Sequence, residues 1–513
     1  MNSVMDDNKM LTLASNERVP LKPHMRLIFE IRDLRFATPA TVSRAGILYI
    51  STDDGTQWQS LIQSWVLRMN TTPENKTRLH NCFTTYVKPS LRWMVKHVSP
   101  VVTLQDMNFV QTLLYMLDGT LTPGILNSEK SDAIEKAFVF AMIWSIGSAL
   151  TLADDGTDNR KIFSDWWRTE HRTVKLPTQY TVFDYWHDPT SNTFEQWSKS
   201  PFLSPDMMVY NSITTPMTSV TVPTPETCSV TFWMRNLVRM RRPVMLAGPS
   251  GTGKTQIVNG MLSALDPTEF INCNINFNFY TTSAVLQNTL SIPLVKKTGT
   301  NYGPPGQASL VYFIDDINLP EVDPYDTQSA IALLRQLTEY EHVYDMAKLT
   351  TKNINNTQIV TCMNPTAGSF EINPRLQRWF ATFAIGLPET MSLHTIYLTF
   401  LTGHLKVRKA MQCCHFVIIF EFSFHYYLTY CISHISHYLF FIPCISLYLP
   451  FFNFFSFTLF SFNYLNLSYS YFILYFSCSP AFFLPLSSFL LSLHLSLSTH
   501  YFYHRASTRR CRV

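Results

Sequence analysis

Apolar residues recur at helical spacing in the stretch from residue 53 to about 205. The clearest segments are 57–69, 107–117 and 131–152. This stretch is rich in tryptophan, and we expect five of these residues to pack in the core of a helical domain rather than to form a ligand cage, because large aromatic side chains are usually buried. These residues are Trp144, Trp166, Trp167, Trp186 and Trp197.

Upstream of this stretch, two short apolar runs are of the buried-strand type. They occupy 25–31 and 46–50, and the loop between them ends in Arg44. No strand, loop and helix of an opening α/β unit precede them. We therefore expect the first residues to belong to an α/β domain that is cut off at its N-terminus.

Downstream, strands and helices alternate after a connection at 199–225 that is rich in Pro, Ser and Thr. Helical spacing marks 226–241 and 327–340. The buried-strand runs are 243–247, 310–314, 358–362 and 380–385. This alternation predicts an α/β fold, in which a parallel sheet with flanking helices binds its ligand at the carboxyl ends of the strands.

Composition separates a tail, residues 411–513, from this body. The tail contains 19 of the 38 Phe and 11 of the 24 Tyr, but no Gly, Asp, Lys or Trp. One interpretation is a membrane segment, because 439–462 carries no charged residue. The other is translated intron sequence, since T-rich DNA encodes Phe, Ser, Leu, Pro and Tyr. We favour the second, because His, Pro, Ser and Asn453 interrupt the apolar run, and we expect an unstructured or artefactual tail.

The body has the composition of a cytosolic protein. It holds 36 of the 40 basic and 35 of the 36 acidic residues, which gives no reason to expect a nucleic-acid partner. Its four cysteines are far apart and form no C-x-x-C motif, so we expect free thiols rather than a metal site. The N-terminus lacks the apolar segment of a signal peptide.

Residues 248–255, Gly-Pro-Ser-Gly-Thr-Gly-Lys-Thr, match the phosphate loop G-x-x-x-x-G-K-[ST] without a mismatch. A strand is predicted before the loop and a helix after it, which makes a chance match in a Gly-rich turn the weaker interpretation. Lys254 would reach the β- and γ-phosphates, and the Thr255 hydroxyl would hold Mg²⁺. The nucleotide-binding residues are then Gly248, Pro249, Ser250, Gly251, Thr252, Gly253, Lys254 and Thr255.

Polar residues follow two other predicted strands. Asp315 would hold Mg²⁺ through water, and Asp316 would act as the catalytic base that orients the attacking water, although a helix N-cap is the alternative for this pair. Asn364 would hydrogen-bond the γ-phosphate or its water as a second catalytic residue. A turn-forming Asn before Pro is the alternative at that position.

Two arginines, Arg375 and Arg378, come after Asn364. A guanidinium can stabilise a transferring phosphate of a neighbouring subunit, as an arginine finger does. A surface arginine in a salt bridge is the alternative, and the spacing does not choose between the two.

Taken together, these motifs resemble an AAA+ P-loop NTPase module, and more narrowly the third module of dynein heavy chains of the axonemal, outer-arm beta type. The resemblance rests on Asn-Tyr-Gly-Pro-Pro-Gly at 301–306, on Phe-Ile-Asp-Asp-Ile-Asn-Leu-Pro-Glu-Val-Asp at 313–323 and on Met-Asn-Pro-Thr-Ala-Gly-Ser-Phe at 363–370. Upstream, the Ala-Thr-Pro-Ala-Thr-Val-Ser-Arg segment at 37–44 resembles the end of the second module. The likeness extends to about Lys409.

The resemblance implies a domain organisation. Residues 1–52 would be the C-terminal remainder of the large subdomain of the second module, and 53–205 its helical small subdomain and the connection onward. Residues 206–390 would be the P-loop large subdomain of the third module, 391–410 the start of its small subdomain, and 411–513 a non-native tail.

The resemblance also implies ligands, partners and a location. ATP or ADP and Mg²⁺ would bind the chain. The partners would be the remaining dynein AAA+ modules, intermediate and light chains, and microtubules through a stalk that this chain lacks, but no nucleic acid and no membrane. The protein would work in the cytoplasm and cytoskeleton, in the axoneme of a cilium or flagellum.

In the family each finger reaches the nucleotide of the preceding module, so Arg44 would serve the first module in trans, and Arg375 and Arg378 the second. The family is an ATP-driven motor, yet Asp316 stands where most AAA+ enzymes have the longer Glu. We therefore expect ATP binding with a regulatory role and little turnover. Two other hypotheses are a stand-alone AAA+ ATPase or remodeller and, resting only on the tail, a membrane-anchored ATP-binding protein.

Overall fold

The computed structural model describes residues 2–6, 9–31, 33–51, 55–128, 130, 132–153, 156–203, 210–211, 213–324, 327–365 and 371–407. The predictions for the tail, and the end of the segment 391–410, lie outside the described residues.

The described α-helices alternate with strands only in the second half of the chain. They are α1 (Asn2–Met5), α2 (Pro39–Arg44), α3 (Thr56–Arg68), α4 (Pro73–His97), α5 (Asp106–Thr120), α6 (Pro123–Leu126), α7 (Ala133–Gly147), α8 (Asn159–Glu170), α9 (Pro225–Arg239), α10 (Lys254–Ser263), α11 (Ser283–Ser291), α12 (Ser329–Tyr340), α13 (Pro374–Gln377) and α14 (Thr390–Val407).

The described strands are β1 (Met10–Thr12), β2 (Arg18–Pro20), β3 (Tyr185–Asp188), β4 (Thr193–Gln196), β5 (Val244–Ala247), β6 (Phe270–Asn276), β7 (Val295–Lys296), β8 (Asn301–Gly303), β9 (Ser309–Asp315), β10 (His342–Tyr344), β11 (Thr351–Ile354), β12 (Thr357–Met363) and β13 (Ala381–Ala384).

Five strands form a parallel sheet in the order β13–β5–β12–β9–β6. The predicted parallel sheet with flanking helices is confirmed. Four of its strands had been predicted as apolar runs, and they are almost wholly buried. The fifth, β6, was not predicted, because Asn272, Asn274 and Asn276 interrupt its apolar residues in a strand that lies at the edge of the sheet.

Helices α3 to α8 form the helical region that the sequence predicts. Trp144, Trp167 and Trp197 are at most 1% exposed, so the expected burial of tryptophan is confirmed for these residues. The sequence did not reveal the 25-residue helix α4, which contains Pro89 and has its N-terminus capped by the Thr72 hydroxyl. It also did not reveal the antiparallel β3–β4 hairpin.

The helical region packs directly against the edge strand β13 of the sheet. The Ser148 hydroxyl donates to the Thr382 carbonyl at 2.8 Å, and the Ser148 carbonyl accepts from the Ala384 N–H at 2.6 Å. The Arg160 guanidinium donates to the Ala384 carbonyl at 3.0 Å. One hydrophobic core continues from the helical region into the sheet, so the carboxyl end of β13 is held from both sides.

The prediction of two strands in the upstream region was wrong. Residues 25–31 and 46–50 form no strand, and Ile28, Leu48 and Tyr49 are 95%, 91% and 84% exposed. An apolar run becomes a strand only where a neighbouring strand pairs with its backbone groups. Among the described residues, no strand lies beside either run.

The four cysteines of the described part of the chain are free thiols, as expected, and three of them are buried while Cys273 is partly exposed. None of the helices that the structure describes is both long enough and apolar enough to cross a membrane.

Candidate functional site

The phosphate loop connects the carboxyl end of β5 to the N-terminus of α10. Gly251 and Gly253 both have φ of +82°, a left-handed conformation that glycine adopts without steric cost, and a side chain at either position would point into open space. Gly248 is constrained differently, because an ideal Cβ there would lie 2.1 Å from the Ile385 carbonyl oxygen. The loop therefore requires glycine at these three positions, and it presents the N-terminus of a ten-residue helix.

Lys254 is buried within this loop, at 8% exposure. Its ammonium group donates to the Gly248 carbonyl at 2.9 Å and to the Pro249 carbonyl at 2.8 Å. Burial lowers the pKa of Lys254, and the nearby carboxylates of Asp316 and Asp315 act against that shift. An ammonium has three N–H donors, so one remains for a phosphate oxygen.

The Thr252 hydroxyl also donates to the Pro249 carbonyl, at 3.0 Å, and thereby closes the loop on itself. Thr252 is 4% exposed, so its contribution is to the shape of the loop.

Thr255 and Asp315 meet directly. The Thr255 hydroxyl donates to Oδ2 of Asp315 at 2.8 Å, which joins the first turn of α10 to the end of β9. Mg²⁺ prefers oxygen ligands at short distances and is typically held in nucleotide sites by one or two such side chains together with phosphate oxygens. A hydroxyl and a carboxylate side by side next to a phosphate loop therefore fit this ion.

Asp316 follows Asp315 in the left-handed conformation, with φ of +54°. Its N–H donates to Oδ1 of Asp315 at 3.1 Å. Burial, followed by the charge of Asp315, raises the pKa of Asp316, and Lys254 acts in the opposite direction. The two neighbouring carboxyl groups thus differ in their contacts, since the Asp315 carboxylate accepts from both the Thr255 hydroxyl and the Asp316 N–H.

Asn364 lies directly after β12 and faces the phosphate loop. Its side-chain Nδ2 donates to the Ser250 hydroxyl at 3.4 Å, and its main-chain carbonyl accepts from Nδ2 of Asn318 at 2.9 Å. The loop is tied to the same strand end, because the Gly248 N–H donates to the Met363 carbonyl at 3.2 Å. The carboxyl ends of β5, β9 and β12 therefore bring the predicted loop, the two aspartates and Asn364 together.

The three arginines lie outside this group. Arg378 pairs with Glu339 at 3.1 Å, Arg375 with Glu30 at 3.0 Å, and Arg44 with Asp6 at 3.3 Å. Arg375 and Arg378 precede β13, whose first residue is level with the first residue of β5. Because these strands are parallel, both arginines lie at the amino edge of the sheet, whereas the phosphate loop leaves the opposite edge.

Two residues at the site were missed by sequence reasoning. Ile385 approaches Gly248 so closely that no side chain fits between them, and Asn318 holds Asn364. Neither residue carries a distinctive signal, because Ile385 lies in an apolar run and Asn318 lies in a turn-like segment. Their contacts cross between strands that are distant in the chain.

This combination defines a class of protein. A parallel sheet in the order β13–β5–β12–β9–β6, with a phosphate loop after β5 and a carboxylate pair after β9, is that of an AAA+ P-loop NTPase module. Comparison with known families narrows this class. The model of the P-loop containing dynein motor region matches residues 209–388, and that of the dynein heavy chain AAA lid domain matches residues 79–199.

Individual relatives agree with these matches. The chain is 47% identical over 418 residues to "Dynein alpha chain, flagellar outer arm" of Chlamydomonas reinhardtii and 46% identical over 408 residues to "Dynein axonemal heavy chain 9" of Homo sapiens, each alignment covering 79% of this chain. It is 46% identical over 417 residues, 80% of this chain, to "Dynein beta chain, ciliary" of Tripneustes gratilla. The chain belongs to the dynein heavy chain family, and its relatives include axonemal members. It spans 9% of the length of each of these three relatives.

Proposed function

We propose that this chain binds ATP or ADP together with Mg²⁺ as the nucleotide site of the third AAA+ module in a dynein ring. The observation that carries the proposal is the hydrogen bond between Thr255 and Asp315, beside the phosphate loop that encloses Lys254. The pair supplies a hydroxyl and a carboxylate oxygen, the kind of ligands that hold Mg²⁺ together with phosphate oxygens.

Each residue then has a role at the bound nucleotide. The loop from Gly248 to Thr255 surrounds the phosphates, and Lys254 neutralises their negative charge. Thr255 would hold Mg²⁺ directly and Asp315 would hold it through water. When bound, the ion supplies positive charge to the β- and γ-phosphates.

Asp316 and Asn364 are the candidates for water activation, with weak hydrolysis as the expected result. The Asp316 carboxylate is one methylene shorter than that of Glu, so it reaches less far toward the attacking water. Asn364 has an amide that can donate to the terminal phosphate. This arrangement supports nucleotide binding with a regulatory role over rapid turnover.

The arginine fingers act in trans in this proposal. Arg375 and Arg378 lie at the amino edge of the sheet and Arg44 lies on α2, so none of them follows a strand end at the phosphate loop of this chain. The phosphate loop would need a finger from another module. Loss of a finger costs about 10³–10⁵ in rate in related sites, so the chain alone should hydrolyse ATP negligibly.

For the whole protein we propose microtubule-based movement of cilia or flagella. The relatives are named as axonemal, ciliary and flagellar dyneins, which supports a location in the cytoplasm and cytoskeleton at the axoneme. Other AAA+ modules of the same heavy chain, dynein intermediate and light chains, and microtubules would be its partners.

Equilibrium titration of the full 513-residue chain with fluorescent ATP and ADP analogues tests the nucleotide site. We expect saturable binding that Lys254→Ala reduces by at least about tenfold, because a charge-assisted contact to phosphate is lost. Lys88→Ala, on the exposed face of α4, is the matched control and should leave binding unchanged. Equal binding by wild type and Lys254→Ala would refute the site.

Phosphate-release measurements on the same protein test the expected weak hydrolysis. The wild-type chain should show no turnover above the Lys254→Ala background. Turnover that depends on Lys254 would contradict the requirement for a finger from another module.

A further inference from the structure

Asn318 is one of the most deeply buried polar residues of the described chain, at 1% exposure. It lies two residues after Asp316, in the loop that leaves β9. Its side-chain amide donates to the main-chain carbonyl of Asn364 at 2.9 Å. A buried amide requires such a partner, so the position of this bond is strongly determined.

The loop after β9 is joined to the end of β12 by a second bond, because the Ile317 N–H donates to the Cys362 carbonyl at 3.1 Å. The Leu319 N–H donates to the Asp316 carbonyl at 3.1 Å, which closes a turn within the loop itself. The loop thus continues alongside β12 beyond Asp315, and Asn318 joins it to Asn364.

The side chain of Asn364 reaches toward the phosphate loop from this position. Its Nδ2 lies 3.4 Å from the Ser250 hydroxyl, which is long for a hydrogen bond. The amide group has two N–H donors, so one placed beside the loop can also donate to an acceptor bound there. A terminal phosphate oxygen is such an acceptor, because hydrogen bonds to charged oxygens are shorter and stronger than neutral ones.

We propose that Asn318 is a positioning residue, which by holding the main chain of Asn364 allows the Asn364 amide to bind the terminal phosphate, so that the site prefers nucleoside triphosphate over diphosphate. This inference rests on the proposed nucleotide site. The main-chain N–H groups of the loop would contact the phosphates that ATP and ADP share, and Lys254 would also reach the γ-phosphate. The Asn364 amide would add to this preference for ATP. Asn318 touches neither nucleotide and acts only through Asn364.

Titration of the full chain with the fluorescent ATP and ADP analogues tests this role. Asn318→Ala should weaken ATP binding by about tenfold and change ADP binding less than about twofold, because one charge-assisted hydrogen bond is lost from the triphosphate alone. Asn318→Leu, which keeps the volume without the donor, should do the same. Retained ADP binding by either variant shows that the site is still folded.

A double variant separates positioning from a general structural effect. Asn364→Ala should show the same loss of ATP preference, and adding Asn318→Ala to it should cause no further loss. Asn75→Ala is the matched control, because Asn75 is also buried and its amide also donates to a main-chain carbonyl, that of Leu126 at 2.8 Å. It should leave the ratio of ATP to ADP affinity unchanged.

Several outcomes would overturn the inference. An equal loss of ATP and ADP affinity in Asn318→Ala and Asn318→Leu would show a purely structural residue. Unchanged affinity for both nucleotides, or additive losses in the double variant, would show that Asn318 does not act through Asn364. If the wild-type chain bound neither nucleotide, the proposed function would fail and this inference with it, whereas binding with no preference for ATP would overturn only the inference.

Discussion

The Thr255 hydroxyl and the Asp315 carboxylate lie 2.8 Å apart, although 60 positions separate them in the chain. The bond joins a helix N-terminus to a strand end at the edge where a parallel α/β sheet binds its ligand. Two oxygen ligands are thereby placed on the same side of the phosphate loop. In the proposed site this pair would hold Mg²⁺.

Replacing Thr255 by Val removes the hydroxyl and keeps the shape of the side chain. We expect the gain in ATP affinity on adding Mg²⁺ to shrink by at least about tenfold, because a direct ligand to the ion is lost. Titrations with ATP in excess Mg²⁺ and in a chelator measure this gain. Thr84→Val, on the exposed face of α4, should retain the full gain, and a full gain in Thr255→Val would contradict the magnesium role.

Replacing Gly248 by Ala introduces a Cβ that would lie 2.1 Å from the Ile385 carbonyl oxygen. Gly248 and Ile385 directly follow the paired strands β5 and β13, so relief requires movement of one strand end against the other. We expect destabilisation of about 1–3 kcal/mol, in the range of other overpacking substitutions, together with weaker nucleotide binding. Urea unfolding measures the first effect. Gly46→Ala, where no atom lies within 4 Å of the added Cβ, should be nearly neutral.

Replacing Arg160 by Met should weaken the interface between the helical region and the sheet and so lower the stability of the protein. The Arg160 guanidinium donates to the carbonyls of Leu150 at 2.8 Å and Ala384 at 3.0 Å, and it lies over the Phe183 ring. Loss of these bonds leaves carbonyls without their partner, at a cost of about 2 kcal/mol. Thermal or urea unfolding should show this loss, whereas the exposed Arg68→Met should not. Equal stability of the two variants would show that Arg160 does not stabilise this interface.

Stability should fall on mild acidification because two histidines, His171 after α8 and His187 on β3, are buried. Burial lowers the pKa of His171 and of His187 from the ordinary value of 6.5. The unfolded chain therefore takes up protons near pH 6.5 that the folded chain does not, so the free energy of unfolding decreases as the pH falls through that value. Urea midpoints at pH 7.5, 6.5 and 5.5 measure the slope.

A variant with His187→Asn should show a smaller slope over this pH range. His80→Gln, at an exposed position on α4, should keep the wild-type slope. An unchanged slope in His187→Asn would show that burial of His187 does not contribute to the pH dependence of stability. The Asn192 side chain, which contacts Nε2 of His187 at 3.0 Å, is the group whose partner changes in this variant.

The amino-acid sequence determined the class of fold and most of the residues that meet at the candidate site. Apolar runs that become buried central strands are visible because every residue of such a strand faces the core, and the phosphate loop is visible because its glycines are required by local backbone geometry. Asp315, Asp316 and Asn364 could be predicted from their places at strand ends, since parallel strands bring those ends to one edge.

Only the tertiary structure decided the contacts that join these local features. Asn318 donates to the main-chain carbonyl of Asn364, and the main-chain carbonyl of Ile385 faces Gly248. Every residue has such a carbonyl, so the identities of Asn364 and Ile385 do not reveal these contacts. The apolar runs at 25–31 and 46–50 likewise show that local composition does not reveal long-range pairing. They have strand-forming composition, but a strand also needs a neighbour to pair with, and the described chain does not place one beside them.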